Sequence, residues 1–432
     1  MLNIGVVGLG YVGLTLSIAA SLKGINVYGV EKNQYIIESL NCDKAHFFEP
    51  ELNNNIKDVK NKKFFYDYKF PNNINFDIFI ITVGTPLIKG LRKTNFDYIK
   101  QSIETIAPYY NGNQLVILRS TVAVGTTRNM ILPMLSQLSG KNQDDLLVCM
   151  CPERTIEGKA VMELEKLPQI IGGNNDKSID FAKKLFEKIT DKVICVKSLE
   201  EAELVKLYCN VYRDMTFSIS NAFCLIAQQF GINGLDILSY ANKNYSRSNI
   251  FLPGFVAGPC LEKDAYILTE NIMDGVTKDF ILNARAINES LEDATVNWVI
   301  DNVGPSTKVN KIVLSGMAFK GTPETSDLRG SSSVNIASKL YRLGYNLILH
   351  DFVANIKEMK YLNYGNVSSN LTDACKDASA LLVLNNNKKY LDFQLDFVLD
   401  RKFYVLDIWN VCGKIHKTNN IIVDTCGSLI IR

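Results

Sequence analysis

Residues 2–13 read LNIGVVGLGYVG, an apolar run of strand length that ends in a glycine-rich turn. Residues 14–24 follow as LTLSIAASLKG, in which apolar side chains recur at helical spacing up to Gly24. A second strand-like run, INVYGVEKN, occupies residues 25–33. This stretch therefore predicts a strand, a helix and a second strand in succession, the unit from which parallel sheets with covering helices are built.

Three glycines in that turn, Gly8, Gly10 and Gly13, have the spacing GxGxxG. The first permits a tight turn, the second lets a pyrophosphate approach the backbone, and the third lets helix and strand pack closely. Glu31, 18 residues after Gly13, ends the second strand, where a carboxylate accepts ribose hydroxyls and repels a 2′-phosphate. NAD is therefore predicted over NADP, although neighbouring Lys32 weakens the repulsion. The alternative is a glycine-rich turn with an incidental Glu.

Strand-like and helical segments alternate on both sides of one long helical stretch. Residues 202–230 contain neither Pro nor Gly and carry apolar residues at helical spacing, which predicts a helix that ends before Gly231. We therefore predict an α/β fold of two Rossmann-like, doubly wound parallel-sheet lobes joined by a long central helix. The expected domains are a cofactor domain at 1–197, a central helical domain at 198–300 and a C-terminal domain at 301–432.

The composition excludes several classes of function. The 432 residues include 47 Lys and Arg against 45 Asp and Glu, and a net charge of +2 does not recruit nucleic acid or an anionic membrane. Ten cysteines form no CxxC pair and only three histidines occur (His46, His350 and His416), so no metal site is predicted. The N-terminus lacks the features of a secretory signal, and the apolar runs are too short for a membrane span. We expect a cytoplasmic protein with free thiols.

Three motifs follow predicted strands, at the edge of the sheet where α/β proteins bind ligands. VGTP at 83–86 and RSTV at 119–122 are each, taken alone, as consistent with a turn or helix cap as with a cofactor contact. CPERTIEG at 151–158 supplies two carboxylates, Glu153 and Glu157. If that segment is helical, the two share a face; the alternative is a solvated acidic cap.

PGFVAGPCLEKD at 253–264 is the motif with the most chemistry. Its glycines let the backbone approach a ligand, and a thiol such as Cys260 can trap an aldehyde, as an enzyme must do to oxidise an alcohol beyond the aldehyde. A cysteine without partners is more often inert core. Asp264 follows four residues later, and the candidate partners Lys206 and Asn210 share one face of the long helix.

With these motifs in register from end to end, the chain resembles the UDP-glucose/GDP-mannose dehydrogenase family of nucleotide-sugar 6-dehydrogenases. The motifs that carry the resemblance are GLGYVG at 8–13, VGTP, RSTV, CPER with EGKA at 151–160, AELVKLYCNVYRD at 202–214, GPCLEKD at 258–264 and GMAFKGTPETSDLRGSS at 316–332. The resemblance implies an NAD-binding N-terminal lobe, a helical dimerisation centre and a C-terminal lobe for the nucleotide of a UDP-sugar. It also implies a homodimer that performs a four-electron oxidation with two NAD.

The resemblance also implies roles for individual residues. Cys260 is the nucleophile, Lys206 and Asn210 stabilise the oxygen anion, and Asp264 supports the thiol, Lys206 or a water. Proton transfer through a water falls to Thr121, Glu153 and Glu157. The implied cofactor contacts are Gly8, Gly10, Tyr11, Val12, Gly13, Glu31, Lys32, Thr85, Thr121 and Arg329. The implied substrate contacts are Glu153, Arg154, Lys206, Asn210, Arg247, Gly258, Phe319 and Lys320.

The chain departs from the family pattern at a few positions. Ala257 precedes Gly258 where many members have two glycines, Glu262 replaces the common Pro, and Ala222 stands where a Glu is frequent. Pro-Glu-Arg ending at Arg154 and NIFLPG at 249–254 resemble members that act on N-acetylated UDP-hexosamines, whereas UDP-glucose enzymes usually carry Pro-Glu-Phe. We therefore expect oxidation of the C6 hydroxyl of a UDP-N-acetylhexosamine, with the manno isomer one candidate. UDP-glucose is the alternative substrate.

Two alternatives belong to other classes. An inactive nucleotide-binding scaffold would retain the fold without the chemistry, but Lys206, Asn210, Cys260 and Asp264 are all present. A two-electron 2-hydroxy acid or 3-hydroxyacyl dehydrogenase would share the cofactor lobe but would normally use a catalytic His, and no His lies in such a motif.

Overall fold

The computed structural model describes residues 2–306, 310–395 and 401–429. The chain divides into two compact units. The first unit comprises Met1–Cys209 with Tyr266–Met273, and the second comprises Asn210–Ala265 with Asp274–Arg432. Each unit is an α/β lobe around its own sheet, and a long helix contributes residues to both, so the predicted fold class is confirmed.

The first unit contains one sheet of eight strands within the described residues. Its strands are β1 (Asn3–Val7), β2 (Asn26–Val30), β3 (Phe64–Asp67), β4 (Ile78–Ile81), β5 (Leu115–Leu118), β6 (Leu147–Met150), β7 (Gln169–Gly173) and β8 (Val193–Cys195). They lie in the order β3-β2-β1-β4-β5-β6-β7-β8. All neighbours are parallel except β6 and β7, which pair antiparallel through Cys149 and Gly173. The predicted all-parallel lobe therefore contains two strands, β7 and β8, that run opposite to the other six.

Helices cover both faces of this sheet. They are α1 (Tyr11–Leu22), α2 (Gln34–Asn41), α3 (Leu52–Val59), α4 (Asp97–Ile106), α5 (Leu132–Ser139), α6 (Ala160–Lys166) and α7 (Asp176–Phe186). Alternate residues of β4 enter two separate apolar cores, with Ile78 and Ile80 on one face and Phe79 and Ile81 on the other. Burial on both faces explains why the strand is a continuous apolar run.

Two long helices run through the middle of the chain. Helix α8 spans Leu199–Gln229, 31 residues, and confirms the predicted long helix. After it come α9 (Gly234–Asn242), α10 (Leu261–Thr269) and α11 (Gly275–Val303). No helix among the described residues is long and apolar enough to cross a membrane.

The second unit carries a parallel sheet of six strands. The strands are β9 (Lys311–Ser315), β10 (Asn346–His350), β11 (Asn366–Val367), β12 (Ala380–Val383), β13 (Phe403–Asp407) and β14 (Ile421–Thr425). Their order is β11-β10-β9-β12-β13-β14. The remaining helices are α12 (Ser332–Arg342), α13 (Ile356–Tyr361) and α14 (Leu371–Lys376). The segment β9-α12-β10 repeats, in this unit, the strand-helix-strand order of β1-α1-β2.

Candidate active site

The turn between β1 and α1 is shaped by its glycines. Gly8 has a φ of +89°, and its amide donates to the Val30 carbonyl at 2.8 Å. A Cβ on Gly13 would lie 1.9 Å from the Gly8 carbonyl oxygen, so only glycine fits there. Gly10 is the N-cap of α1 and supplies no side-chain acceptor to the first amides of the helix. A Cβ on Gly10 would meet nothing within 4 Å, which leaves room for the pyrophosphate of a dinucleotide.

Glu31 lies on one wall of a cleft beside this turn. Its carboxylate accepts the amides of Leu9 at 2.7 Å and Asn33 at 2.9 Å, which fixes its orientation. The cleft is also lined by the glycine turn, by Thr82 and Val83 after β4, and by α4. The Lys32 ammonium group donates to Gln101 at 3.1 Å. These amides fix a carboxylate on the wall of the cleft, and its contact with a ribose stays a prediction.

The VGTP and RSTV loops lie side by side because β4 and β5 are neighbours in the sheet. The Thr85 hydroxyl donates to the Thr121 carbonyl at 2.6 Å, and the Ser120 hydroxyl donates to the Val83 carbonyl at 2.6 Å. Thr85 is itself buried. The two loops are therefore hydrogen-bonded to each other, and Val83 and Gly84 of the first line the cleft.

The segment that carries Glu153 is not helical; residues 151–156 form an irregular loop before α6. Glu153 is buried at 6% exposure, so the alternative of a solvated acidic cap is wrong for it. Its carboxylate pairs with the Arg119 guanidinium and accepts the amides of Arg154 at 2.7 Å and Thr155 at 2.8 Å. Burial alone would raise the pKa of Glu153, but Arg119 holds it below its usual value.

Glu49 is a residue that the sequence analysis did not identify. Its carboxylate accepts the Tyr11 hydroxyl at 2.5 Å and the Gly158 amide at 2.7 Å. Burial and the Glu49 carboxylate raise the pKa of Tyr11 strongly. Glu49 therefore connects, by hydrogen bonds, the start of α1 to the loop that carries Glu157. The sequence feature that could have drawn attention to this residue is the Glu49-Pro50 pair before α3.

In the second unit, Cys260 is exposed and stands immediately before α10. Its carbonyl accepts the amides of Lys263 and Asp264 at 3.1 and 3.0 Å, so the thiol belongs to the first turn of the helix. The buried Asp264 carboxylate accepts the Asn210 amide group at 2.6 Å and pairs with the Lys263 ammonium group at 3.1 Å. We call Asn210, Cys260, Lys263 and Asp264 the thiol cluster.

Lys263 was not among the predicted site residues. Burial opposes its charge, yet the Asp264 carboxylate and the neighbouring Cys260 raise the pKa of Lys263 above its usual value. Lys263 therefore brings a positive charge, paired with Asp264, to the first turn of the helix that carries the thiol. The only sequence feature that could have identified Lys263 as a site residue is its position between the two carboxylates Glu262 and Asp264.

The turn before Cys260 packs on the loop that follows β9. Gly258 has a φ of +99°, and a Cβ on it would lie 2.6 Å from the Phe319 ring. Its amide donates to the Gly330 carbonyl at 2.7 Å, and the Lys320 ammonium group lies 5.3 Å from the centre of the Phe319 ring. The structure thus brings together three of the predicted substrate contacts, Gly258, Phe319 and Lys320.

Two buried residues support this turn and were also missed. Arg285 of α11 donates to the carbonyls of Val256 at 3.2 Å and Leu261 at 3.3 Å, on either side of Cys260, and pairs with Asp214 at 2.7 Å. Asn221 exchanges two hydrogen bonds with Gly254. Asn221, which precedes the atypical Ala222, therefore fixes the start of the loop.

Other predicted residues have partners of their own. Arg154 donates to the Pro168 carbonyl at 2.5 Å, Arg247 stacks on Tyr245 at 4.9 Å, and Arg329 pairs with Asp327 at 2.6 Å. The Val12 carbonyl accepts the Thr15 hydroxyl at 3.2 Å. Their roles toward ligands stay predictions.

Comparisons with known proteins place this geometry in a family. The NAD binding domain of the UDP-glucose/GDP-mannose dehydrogenase family matches residues 2–190, its central domain 200–290 and its UDP binding domain 313–414. A UDP-N-acetyl-D-mannosamine dehydrogenase of Methanocaldococcus jannaschii is 29% identical over 98% of this chain and 92% of its own length. One of Campylobacter jejuni is 32% identical over 91% of this chain and 97% of its own length.

Solved structures give the same result. A UDP-D-ManNAc dehydrogenase from Pyrococcus horikoshii superposes with a TM-score of 0.87 at 27% identity, covering 99% of this chain and 100% of that one. A UDP-glucose dehydrogenase from Pyrobaculum islandicum shares the fold at 20% identity, with a TM-score of 0.83 and coverage of 99% and 98%. The chain belongs to the UDP-glucose/GDP-mannose dehydrogenase family of NAD-dependent oxidoreductases.

Proposed function

We propose that the protein oxidises the C6 hydroxyl of UDP-N-acetylmannosamine to the uronic acid, with NAD as the oxidant. The relatives described above that match along nearly the whole chain carry the name UDP-N-acetyl-D-mannosamine dehydrogenase. UDP-glucose is the second candidate substrate, and the neighbour named for it shares the fold alone. The thiol cluster carries the proposal, because an exposed thiol beside a buried, hydrogen-bonded carboxylate is what a four-electron oxidation needs.

The proposed chemistry proceeds in two oxidations. Each oxidation would use one molecule of NAD as the hydride acceptor, so that two NAD are consumed per sugar. Between the two oxidations the Cys260 sulfur bonds to the aldehyde carbon, so that the second hydride leaves from a thiohemiacetal and water then opens the thioester to the acid and the free thiol. Lys206 and Asn210 stabilise the oxygen anion, and Asp264 holds the Asn210 amide.

The cofactor site is proposed for the first unit and the nucleotide of the sugar for the second. The Gly10 turn and Glu31 have the room and the charge that NAD requires. Lys320 on Phe319 supplies positive charge for a diphosphate. We keep the three domains 1–197, 198–300 and 301–432 as part of this proposal.

A homodimer through α8 is proposed from its exposed apolar side chains. Ile219, Phe223 and Ile226 of α8, and Phe230 directly after it, follow one another three or four residues apart, and each is 45% exposed or more. Such a stripe on a long helix needs a partner surface. Light scattering should give twice the chain mass, and a monomer at micromolar concentration would contradict the dimer. All ten cysteines are free thiols, in keeping with the proposed cytoplasmic location.

The substrate is tested by following NADH formation with a panel of UDP-N-acetylmannosamine, UDP-N-acetylglucosamine, UDP-N-acetylgalactosamine, UDP-glucose and GDP-mannose. We expect the highest kcat/KM with the first and two NADH per sugar. A preference for UDP-glucose would move the assignment to the second candidate. No turnover with any sugar would favour the inactive scaffold.

The covalent route is tested with Cys260→Ser, since serine is a poorer nucleophile at neutral pH and its ester hydrolyses more slowly than a thioester. Turnover should fall by orders of magnitude, and mass spectrometry should detect an ester on residue 260. Cys209→Ser is the matched control, because Cys209 is also an exposed thiol. A Cys260→Ser protein that still gives two NADH per sugar at the wild-type rate would exclude covalent catalysis at this residue.

A further inference from the structure

Arg119 is a buried cation that the proposed chemistry does not use. It directly follows β5 and is only 1% exposed, the largest of the fully buried side chains among the described residues. Its guanidinium group pairs with Glu153, donates to the Gln169 side chain at 3.2 Å and lies 5.2 Å from the Phe186 ring. A charge is tolerated in such a core only when a partner compensates it.

The partner of Arg119 is the Glu153 carboxylate, and both of its oxygens already accept hydrogen bonds. Oε1 of Glu153 accepts the amides of Arg154 and Thr155, and Oε2 accepts the Arg119 guanidinium. Although burial favours the neutral acid, Arg119 and the Thr155 amide keep the pKa of Glu153 low. A group held in this way stays ionised at neutral pH and is a poor proton acceptor, since each oxygen already receives donors.

Lys206 is the second cation near Glu153. It lies in the same unit, is 8% exposed, and its charge contributes to the low pKa of Glu153. Glu153 therefore contacts the buried Arg119 directly and also experiences the charge of Lys206, the residue proposed for the chemistry. An anion placed there attracts the Lys206 ammonium group.

We propose that Arg119 is a positioning residue that keeps Glu153 as a permanent anion, and that this anion holds the Lys206 ammonium group in place. The assignment rests on the proposed function and deepens it. It removes Glu153 from the proton relay that the family resemblance implies and leaves the half-buried Glu157 as the carboxylate of that loop that takes protons.

The kinetic test compares the pH dependence of kcat in Arg119→Gln, Arg119→Lys, Glu153→Gln and the double variant Arg119→Gln/Glu153→Gln. In Arg119→Gln, Glu153 loses the main charge that lowers its pKa, so the pKa of Glu153 should rise and kcat should gain a new acidic limb. Arg119→Lys keeps the charge and should restore the wild-type profile. The double variant has no carboxylate at 153, so the new limb should disappear.

Glu153→Gln decides the role of Glu153 itself. Because Glu153 stays ionised over the working range, removing its charge should lower kcat several-fold without changing the shape of the wild-type profile. The proposal is overturned if Glu153→Gln abolishes the acidic limb of the wild-type profile, since Glu153 would then be the titrating group. It is also overturned if Arg119→Gln lowers kcat by the same factor at every pH and Arg119→Lys fails to rescue it.

A stability measurement tests the ion pair without any sugar and so separates this proposal from the proposed function. In Arg119→Gln the folded-state pKa of Glu153 is raised above its unfolded value of roughly 4.3, so the folded state binds the extra proton and stability falls as pH rises through that window. The melting temperature of Arg119→Gln should therefore drop further below that of the double variant at pH 8 than at pH 5. An equal gap at both pH values would show that Arg119 does not control the ionisation of Glu153.

Discussion

The turn after β1 and the turn after β9 begin alike and then differ. Gly8 and Gly316 have φ angles of +89° and +92°, and their amides donate to the last residues of the next strand, Val30 and His350. The carboxylate that follows that strand accepts an amide of the turn in both units, Glu31 from Leu9 in the first and Asp351 from Ala318 in the second. The two units therefore share one scheme for closing the strand-helix-strand segment.

The difference lies in what stands at the start of the helix. In the first unit residues 8–10 lead directly into α1, whose N-cap Gly10 has no side-chain acceptor. In the second unit residues 316–331 precede α12, and the Ser331 hydroxyl caps that helix by accepting the Ser333 amide at 3.2 Å. The first unit thus leaves helix amides for a ligand, while the second caps its helix and presents side chains such as Phe319 and Lys320 instead.

Gly10→Ala tests the short turn and has the largest expected effect. The added Cβ meets no protein atom within 4 Å, so the fold should be unchanged, but it occupies the space where a pyrophosphate approaches. The methyl group should push the pyrophosphate about 1 Å away from the helix amides. NAD affinity should therefore fall about a hundredfold or more, the factor by which a misplacement of about 1 Å can reduce an enzyme's rate. Isothermal titration measures it, with Gly275→Ala as control because a Cβ there also meets nothing. Unchanged NAD affinity in Gly10→Ala would contradict a pyrophosphate at this turn.

Lys320→Ala tests the long turn. Removing a charged donor to a diphosphate should raise the substrate KM roughly ten- to hundredfold, the range for a lost charge-assisted hydrogen bond. NAD affinity should stay near the wild-type value. Lys376→Ala, an exposed lysine of α14 paired with Asp373, is the control and should change neither constant. If Lys320→Ala weakens NAD and spares the substrate, the two nucleotides have been assigned to the wrong units.

Glu31 sharpens the comparison, because its charge is expected to select NAD. Glu31→Gln keeps an oxygen that can accept the Leu9 amide and removes the negative charge, whereas Glu31→Ala removes both. Both variants should narrow the NAD over NADP preference by about tenfold or more, since like charges in contact cost several kcal/mol. The ratio of kcat/KM with the two cofactors measures it. If the NAD over NADP preference narrows in Glu31→Ala but not in Glu31→Gln, the preference depends on the shape of the turn and not on the charge of Glu31.

The smallest expected effect concerns the cores beneath the turns. Val7 and Val30 pair in the first sheet, whereas the corresponding residues of the second sheet are Ser315 and His350, with the Ser315 hydroxyl 2.8 Å from His350 Nδ1. Burial lowers the pKa of His350 to about 4. The unfolded state therefore binds this proton first, and stability contributed by His350 falls as pH drops from roughly 6.5 toward about 4.

Between pH 7 and pH 5.5 the loss from His350 should be about 1 kcal/mol. Both tryptophans, Trp298 and Trp409, lie in the second unit, so their fluorescence in a urea titration follows that unit. His350→Gln does not titrate in this range and should show the smaller pH dependence. Equal dependence in both proteins would place the acid sensitivity elsewhere.

Much of this architecture could be predicted from the chain. The glycine spacing and the uninterrupted residues 202–230 predicted the first strand-helix-strand unit and α8, because both patterns are local. The reversed direction of β7 was not predictable, since QIIGG at 169–173 is apolar and buried whichever way it runs. Helix α11 was not singled out, because Arg285 and Asn288 on its buried face interrupt the apolar periodicity.

The sequence identified candidate site residues but not their partners. The roles of the motif residues around Cys260 and in the glycine turn toward ligands stay predictions. Arg119 and Glu153 are 34 residues apart in sequence, and Glu49 reaches Gly158 across 109. Such pairings depend on the order of strands in the sheet, which no local pattern reveals, so an acidic pair at 153 and 157 resembled a surface cap.

The most direct test of two nucleotide sites in one chain is a titration of the wild-type protein with NAD in the presence of increasing UDP. If the short turn holds NAD and the long turn holds the uridine nucleotide, saturating UDP should leave NAD bound with an unchanged stoichiometry and an affinity within about threefold of the value without UDP, a difference of roughly 0.6 kcal/mol. An apparent dissociation constant for NAD that rises in proportion to the UDP concentration would contradict the account, because it would show that both nucleotides compete for one site.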